Sequence, residues 1–238
     1  MSDKGFPFSP PTLTEVYRRL LEAYGPRGWW PGDGPFDVII GAILTQAASW
    51  KNVELALANL KQANCWSFEA IDACRQEQLA EIVRPSGYFN AKAAKLKAFA
   101  AHVLEMYGGD LNRMFDQDTG ALRGELLSIH GIGPETADDI LVYAAAKPSF
   151  VIDTYTTRIL ERLGIVPEDG RRKYADWQAL FHDSLPADVA LFNEFHALLD
   201  HHAGRACRKT PACEGCCLLE VCATGQQSPV PPTDANTQ

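Results

Sequence analysis

Apolar residues recur at helical intervals along most of the chain, and this pattern predicts helices from end to end. The first helix is predicted after Thr12, which stands three residues before Glu15 in the spacing of a capping box, and Gly25 should end it. Further helices are predicted at 67–74, 76–83, 91–107, 121–129, 172–184 and 188–202. Since no convincing strand pattern or internal repeat accompanies them, the predicted fold class is all-α.

The most apolar run begins at Phe36 and ends at Leu44. A buried strand would show the same composition, but the length of the run and its alanine-rich continuation favour a helix. We expect this helix to continue through Gln46 toward Trp50 and Leu60.

A glycine-containing turn separates two later helical runs, and its residues are His130, Gly131, Ile132 and Gly133. Glycines allow the backbone to turn sharply and to present its N–H groups, so such a turn can bind a phosphate without a basic side chain. Taken alone, an ordinary turn explains the same residues.

A carboxylate follows this turn at a fixed distance. A loop containing Pro148 leads into a short apolar run that ends at Asp153, and residues 154–163 again have the pattern of a helix. Asp153 is therefore predicted at a helix N-terminus, where the helix dipole stabilises a negative charge. A plain helix cap is the alternative, but a phosphate-binding turn followed by a positioned carboxylate suggests chemistry on a nucleic acid.

Five of the seven cysteines fall in one short segment near the C-terminus. Four of them, Cys207, Cys213, Cys216 and Cys222, have the spacing Cys-x5-Cys-x2-Cys-x5-Cys, while Cys217 is an extra thiol. Four thiolates suit either a tetrahedral zinc ion or an iron-sulfur cluster, and the spacing leaves both open.

The formal net charge of −8 is unusual for a protein that binds DNA. It does not exclude that function, because net charge averages over faces and the glycine turn offers backbone dipoles. The basic residues Arg84, Lys92, Lys95 and Lys97 lie close together in sequence and either line a DNA-binding face or form a solvated helix surface.

Together, the glycine turn, Asp153 and the cysteine spacing resemble the endonuclease III superfamily of DNA glycosylases, over about residues 35–222. The resemblance implies a six-helix barrel with a helix-hairpin-helix at 35–145, and a discontinuous iron-sulfur domain at 12–34 and 146–225. A DNA-binding cleft would lie between the two domains, and 1–11 and 226–238 would be disordered tails. It also implies that Asp153 is catalytic and that Cys207, Cys213, Cys216 and Cys222 hold a 4Fe-4S cluster rather than zinc.

Members of this superfamily that also cut the DNA strand carry a lysine two residues after the last glycine of the turn. Glu135 stands there in this chain, and a carboxylate cannot form a Schiff base. We therefore expect a monofunctional glycosylase in which Asp153 activates water and stabilises the sugar cation. Glu135 is either a second carboxylate of the site or an exposed residue.

The expected substrate is an alkylated purine in DNA. Gly41 occupies the position where adenine glycosylases carry a glutamate, so acid-assisted removal of adenine lacks support. Alkylated purines are already cationic and favour aromatic walls, for which Trp29, Trp30 and Trp50 are candidates. The tryptophan pair, Gly41 and the hairpin with Glu135 resemble the 3-methyladenine glycosylase branch, which typically lacks the iron-sulfur cluster.

The resemblance further implies that Gln46 and Tyr88 fill the gap left by a flipped nucleotide, although packing or plain solvent exposure is the alternative for both. The expected partner is double-stranded DNA with a damaged base, bound by a monomer. No secretory pattern or membrane-spanning run is evident, so the cytoplasm and the bacterial nucleoid are the expected location.

Two other functions stay open at this stage. One is a bifunctional glycosylase and lyase for oxidised pyrimidines, with Lys147 as a displaced catalytic amine. The other is a non-catalytic protein that binds damaged DNA.

Overall fold

The computed structural model describes residues 9–227, and their regular structure is entirely helical, which confirms the predicted class. The predicted tails lie largely outside this range, at 1–8 and 228–238. The α-helices are α1 (Leu13–Tyr24), α2 (Pro35–Thr45), α3 (Trp50–Gln62), α4 (Phe68–Ala73), α5 (Gln76–Ile82), α6 (Phe89–Tyr107), α7 (Leu111–Phe115), α8 (Thr119–Ser128), α9 (Pro134–Asp139), α10 (Thr154–Leu163), α11 (Tyr174–Ser184), α12 (Val189–Arg205) and α13 (Ala223–Gln227). Short 3-10 turns lie at Arg84–Ser86, Glu168–Gly170 and Leu219–Val221, and a π-helical turn at Ile140–Ala144 continues α9.

The chain divides into two compact units. The central unit runs from Trp30 to Val151, and the split unit combines the residues up to Trp29 with those from Ile152 onward. None of the helices within 9–227 has the length and apolar character needed to cross a lipid bilayer.

The central unit is built around α6, which packs against α2, α4, α5 and α7. Every residue of α2 from Val38 to Leu44 is buried, which explains why its sequence is apolar on all sides. Helix α8, which packs against α9, begins with Asp118 as an N-cap, whose side chain accepts a hydrogen bond from the Ala121 N–H at 3.0 Å.

The continuous helix predicted from Phe36 to Leu60 is wrong, because the structure breaks it into α2 and α3. Ala47 has a φ of +52°, which lies outside the right-handed helical region, and Ser49 is extended. Alanine-rich sequence favours helix locally, but Ser49 is a favoured N-cap residue and stands directly before α3. The side chain of Gln46 is bound to another part of the central unit, which stabilises the broken form.

In the split unit, α1 and α10 both pack against α12. Phe195 lies at the centre of the core, with ring contacts to Tyr17 at 5.3 Å and to Phe181 at 5.6 Å. The predicted helix at 154–163 is confirmed as α10, whose buried apolar stripe is Ile159, Leu160 and Leu163.

Candidate functional site

The hairpin turn (residues 130–133) connects α8 to α9. Gly131 has a φ of +82°, and Pro134 opens α9 at a position where its missing N–H costs nothing. Ile132 is buried at 5% exposure, whereas His130 is exposed. Among residues 9–227, no acceptor bonds the backbone N–H groups of Gly131 and Gly133, so both are available to a ligand.

Gln46 and Lys95 stabilise this turn through hydrogen bonds and close packing. The amide nitrogen of Gln46 donates to the Gly131 carbonyl at 3.2 Å and to the Thr136 hydroxyl at 2.8 Å, and Lys95 Nζ donates to its amide oxygen. The stem of Lys95 covers Gly131 so closely that an added Cβ would lie 2.2 Å from its Cγ. Only glycine fits at position 131, and the amide of Gln46 is bonded to the hairpin rather than projecting from the protein.

Lys92 is not a surface residue, which corrects its prediction as part of a basic face or a solvated helix surface. It is 1% exposed, and its Nζ donates to the carbonyls of Leu44 at 2.8 Å and Ser86 at 2.6 Å. Burial, with a smaller contribution from the charge of Lys95, lowers the pKa of Lys92 to about 8. The sequence hides this because the residue lies on a helix whose lysines otherwise look solvent-facing.

Tyr88 is the most exposed large aromatic residue of the central unit, at 74%. It precedes α6 with a φ of +44°, directly after Gly87, and a positive φ is strained for a bulky side chain. The backbone therefore holds this ring outward at some cost.

Trp30 and Trp50 form an aromatic cluster with Tyr143. The two tryptophans were predicted as aromatic walls, whereas Tyr143 was not identified from the sequence. The Trp30 ring centroid lies 5.4 Å from those of both Trp50 and Tyr143. Tyr143 belongs to the π-helical turn after α9, and single π turns inside helices often mark functional positions. No local signal in the sequence distinguishes it from an ordinary core tyrosine.

Gly41 lies directly beneath this cluster. A Cβ at position 41 would come within 3.0 Å of the Trp30 indole, so even an alanine would require the ring to move. Trp29, the third predicted aromatic wall, belongs to the split unit and is half-buried.

Glu135 is exposed at the second position of α9. Lys147, the alternative amine, is half-buried, and its Nζ donates to the Gln117 carbonyl. Both residues belong to the central unit.

In the split unit, Asp153 is the N-cap of α10, as its position in the sequence predicts. Its Oδ1 accepts a hydrogen bond from the Thr156 N–H at 2.6 Å, and its Oδ2 lies 3.8 Å from His196 Nε2. Burial raises the pKa of Asp153, but His196 and Thr156 outweigh that effect and hold the pKa below its ordinary value. The side chain still retains 17% exposure, so an ionised carboxylate reaches the surface.

His196 and Asp200 were not identified from the sequence. They lie one turn apart on α12, and their spacing indicates only that they share a face of that helix. The pKa of Asp200 is raised by burial and by the charge of Asp153, with His196 acting in the opposite direction.

The cysteine loop (residues 207–222) brings the predicted ligands together. Cys207, Cys213, Cys216 and Cys222 all line one small cavity, whereas Cys217 is absent from its lining. Within the described range, no group of three or more His, Cys, Asp or Glu side chains is placed to hold one metal ion.

Two arginines of α10 fasten this loop. Arg158 donates to the Cys207 carbonyl at 3.0 Å, and Arg162 donates to the Cys207 sulfur at 3.1 Å and to the Arg208 carbonyl at 2.7 Å. The N–H of Gly225 donates to the Cys222 sulfur at 3.3 Å. Such donors stabilise the thiolate form that a metal requires, so the cavity suits a thiolate-ligated metal group.

Comparison with known proteins confirms the resemblance. Residues 40–181 match the HhH-GPD superfamily of base excision DNA repair proteins. A provisionally named DNA repair glycosylase of Methanocaldococcus jannaschii is 42% identical over 211 residues, which cover 88% of this chain and 95% of that protein.

Two solved structures are also similar. One is the H. pylori 3-methyladenine DNA glycosylase bound to 1,N6-ethenoadenine, with 30% identity, a TM-score of 0.69, and coverage of 82% of this chain and 98% of that one. The other is endonuclease III in a trapped covalent DNA complex, with 20% identity, a TM-score of 0.77, and coverage of 91% and 98% of the two chains. The second comparison shows the fold alone. The chain therefore belongs to the HhH-GPD superfamily of base excision DNA repair proteins.

Proposed function

We propose that this base excision DNA glycosylase is monofunctional and removes alkylated purines by hydrolysis. The observation that carries the proposal is Glu135, which stands exposed in the hairpin helix where strand-cutting members have a lysine. A carboxylate cannot form the covalent imine that strand cleavage requires, so water remains as the nucleophile.

The amines of the central unit also argue against a substitute lysine. Lys92 is buried between two carbonyls, Lys95 bonds Gln46, and Lys97 donates to the Cys74 carbonyl at 2.8 Å. Lys147 is bound to the Gln117 carbonyl, which disfavours the displaced-amine mechanism.

Asp153 has the properties that hydrolysis needs. Because its pKa is held below the ordinary value, the carboxylate is ionised at neutral pH. An ionised carboxylate stabilises the positive charge that develops on the sugar as the base departs, and it orients or deprotonates the attacking water. Its hydrogen bond to the Thr156 N–H fixes Oδ1, so Oδ2 is the oxygen left to act.

The aromatic cluster supports alkylated purines as the substrate class. Trp30, Trp50 and Tyr143 offer ring faces that attract a cationic base. Gly41, which contacts Trp30, stands where adenine glycosylases carry a glutamate, and alkylated purines need little acid help to leave. The similar H. pylori protein is a 3-methyladenine glycosylase, which agrees with this assignment.

For DNA binding, we assign the hairpin N–H groups of Gly131 and Gly133 to a backbone phosphate. Tyr88 is a better candidate than Gln46 for filling the gap that a flipped nucleotide leaves in the DNA duplex. Its side chain is exposed at 74%, whereas the amide of Gln46 is hydrogen-bonded to the hairpin turn and Thr136. The expected partner is duplex DNA with a damaged base, and access to chromosomal DNA implies the cytoplasm as the location.

We also propose that Cys207, Cys213, Cys216 and Cys222 hold a 4Fe-4S cluster. All four residues line one cavity, and an arginine and a backbone N–H donate hydrogen bonds to the sulfurs of Cys207 and Cys222. The cluster rather than zinc is proposed from the resemblance to the endonuclease III superfamily. Its contribution would be structural, as a crosslink of the cysteine loop.

The test of the proposed activity uses DNA methylated by an alkylating agent, with release of free bases measured by chromatography. The wild-type protein should release 3-methyladenine, and Asp153→Asn should reduce the rate by at least about 100-fold. Glu135→Gln is the comparison variant, and release near the wild-type rate would show that this exposed carboxylate is not a second catalytic group. Equal release by Asp153→Asn and wild type would refute the assigned role.

Strand cleavage gives a second readout. A duplex incubated with wild-type protein should break only after alkali, and borohydride should trap no covalent complex. Glu135→Lys restores an amine at the hairpin position and should yield trapped complex. Trapping with the wild-type protein would overturn the monofunctional assignment in favour of a lyase.

A further inference from the structure

His196 on α12 lies beside Asp153, the proposed catalytic carboxylate of the split unit. Resting on the catalytic role proposed for Asp153, we propose that His196 is a positioning residue, whose imidazolium pairs with Asp153 Oδ2 and keeps that carboxylate ionised during base excision.

The geometry is specific to one oxygen. Asp153 Oδ1 is fixed by the Thr156 N–H at 2.6 Å, and His196 Nε2 lies 3.8 Å from Oδ2. At 3.8 Å the contact is an ion pair with a protonated ring rather than a direct hydrogen bond. The histidine therefore acts on the oxygen that the backbone does not occupy.

The surroundings favour a charged imidazole ring. The His196 side chain has 11% exposure and two carboxyl groups act on it, Asp153 at the start of α10 and Asp200 one turn further along α12. An ionised carboxylate beside a buried imidazole stabilises its cationic form. Asp200 and His196 are the charged groups that act on this carboxylate from α12, and Thr156 acts from α10.

The carboxylate needs this help because of where it lies. Burial alone raises the pKa of Asp153 and would favour the protonated form, which can neither stabilise a sugar cation nor accept a proton from water. The histidine counteracts that effect without blocking access, since Asp153 keeps 17% exposure.

The test is the pH dependence of single-turnover base release by the full-length protein. His196→Gln keeps a polar side chain of similar size but removes the charge, so the acidic limb should move upward by about one to two pH units. The maximal rate on the alkaline side should change much less. His201→Gln, a histidine substitution on the same helix, should leave the limb in place.

A purely structural role would lower the rate equally at every pH, and that result would overturn the proposal.

The pairing is also measured without activity, by NMR titration of the His196 ring. In Asp153→Asn, the titration midpoint should fall by at least about one pH unit relative to wild type. If wild type released no base but the midpoint still fell, the pairing would stand and the proposed function would fail. An unchanged midpoint would refute the pairing.

Discussion

The hairpin turn of the central unit and the cysteine loop of the split unit are both short irregular segments, but they are held in different ways. The hairpin turn is fixed by protein groups alone, through buried Ile132, the amide of Gln46 and the stem of Lys95. The cysteine loop buries only Leu218 among the residues from Arg208 to Cys222, and polar contacts to its flanking elements, among them the arginines of α10, hold the rest. The hairpin turn is thus held by packing as well as hydrogen bonds, whereas the cysteine loop has little core of its own.

The largest expected effect comes from removing one proposed cluster ligand. Cys216→Ser should abolish iron incorporation and unfold the cysteine loop, because metal-binding free energy of roughly 10 kcal/mol acts as folding free energy in such loops. Iron and sulfide analysis with hydrogen exchange of the loop peptides measures this. Cys217→Ser is the matched control, since Cys217 does not line the cavity, and it should retain the iron content of the wild-type protein. Full iron content in Cys216→Ser would contradict the ligand assignment.

The next largest effect is expected from a buried ion pair between α8 and α9, the two helices that flank the hairpin turn. It tests whether protein contacts alone hold the hairpin. Asp138 in α9 is fully buried and receives two hydrogen bonds from Arg123, at 2.8 and 2.9 Å, and one from Ser149 at 2.6 Å. Asp138→Asn should cost about 3 to 5 kcal/mol, because it removes one partner of a buried ion pair. Denaturant unfolding measures the loss, while iron content should stay unchanged. Asp116→Asn, near α8, serves as a surface control.

Lys92 gives the central unit a distinctive alkaline response. Its pKa of about 8 in the folded protein lies below that of an unfolded lysine. Below pH 8 the lysine is charged in both states, so the full cost of burying the charge is subtracted from the free energy of unfolding. Between about pH 8 and 10.5 the folded state loses the proton first, and stability should rise by about 2 to 3 kcal/mol. Lys92→Met should lack this rise. The difference between the two stability curves is the measurement, and parallel curves would show that the lysine is not desolvated.

The smallest effect is expected on the acid side. Burial raises the pKa of Glu125, but hydrogen bonds to His102, Gln117 and Tyr107 outweigh it and lower the pKa overall. Its stabilisation is present above the unfolded pKa of a glutamate and is lost as the pH falls through the lower, folded value. Glu125→Gln should cost about 1 to 2 kcal/mol at neutral pH and flatten this acid loss. Thermal unfolding between pH 3 and 7 measures both, and an unchanged slope would contradict the assignment.

Much of the fold follows from local pattern. The capping role of Asp153, the helix after it and the fully buried helix α2 were all predicted from residues within a few positions. The break at Ala47 was not predicted, because the alanines favour helix and the side chain of Gln46 is bonded to a residue 85 positions away, although Ser49 is a favoured N-cap residue. Burial of Lys92 was missed for a similar reason, since both of its acceptors lie on other elements.

The candidate site shows the same division. The spacing of the four cysteines anticipates their shared cavity, because spacing is a local property. His196 and Tyr143 were missed, since each matters through a partner that is distant in sequence, namely Asp153 and Trp30. A histidine on an amphipathic helix and a tyrosine after a hairpin have no signal of their own.

The glycine in contact with Trp30 also constrains how the aromatic cluster could serve a different base specificity. Any side chain at position 41 must first displace the indole, since even a Cβ would lie 3.0 Å from it. A change to the glutamate of adenine glycosylases therefore requires Trp30 to shrink or move beforehand. An evolutionary or laboratory route to that chemistry would have fewer steric costs if it began at Trp30.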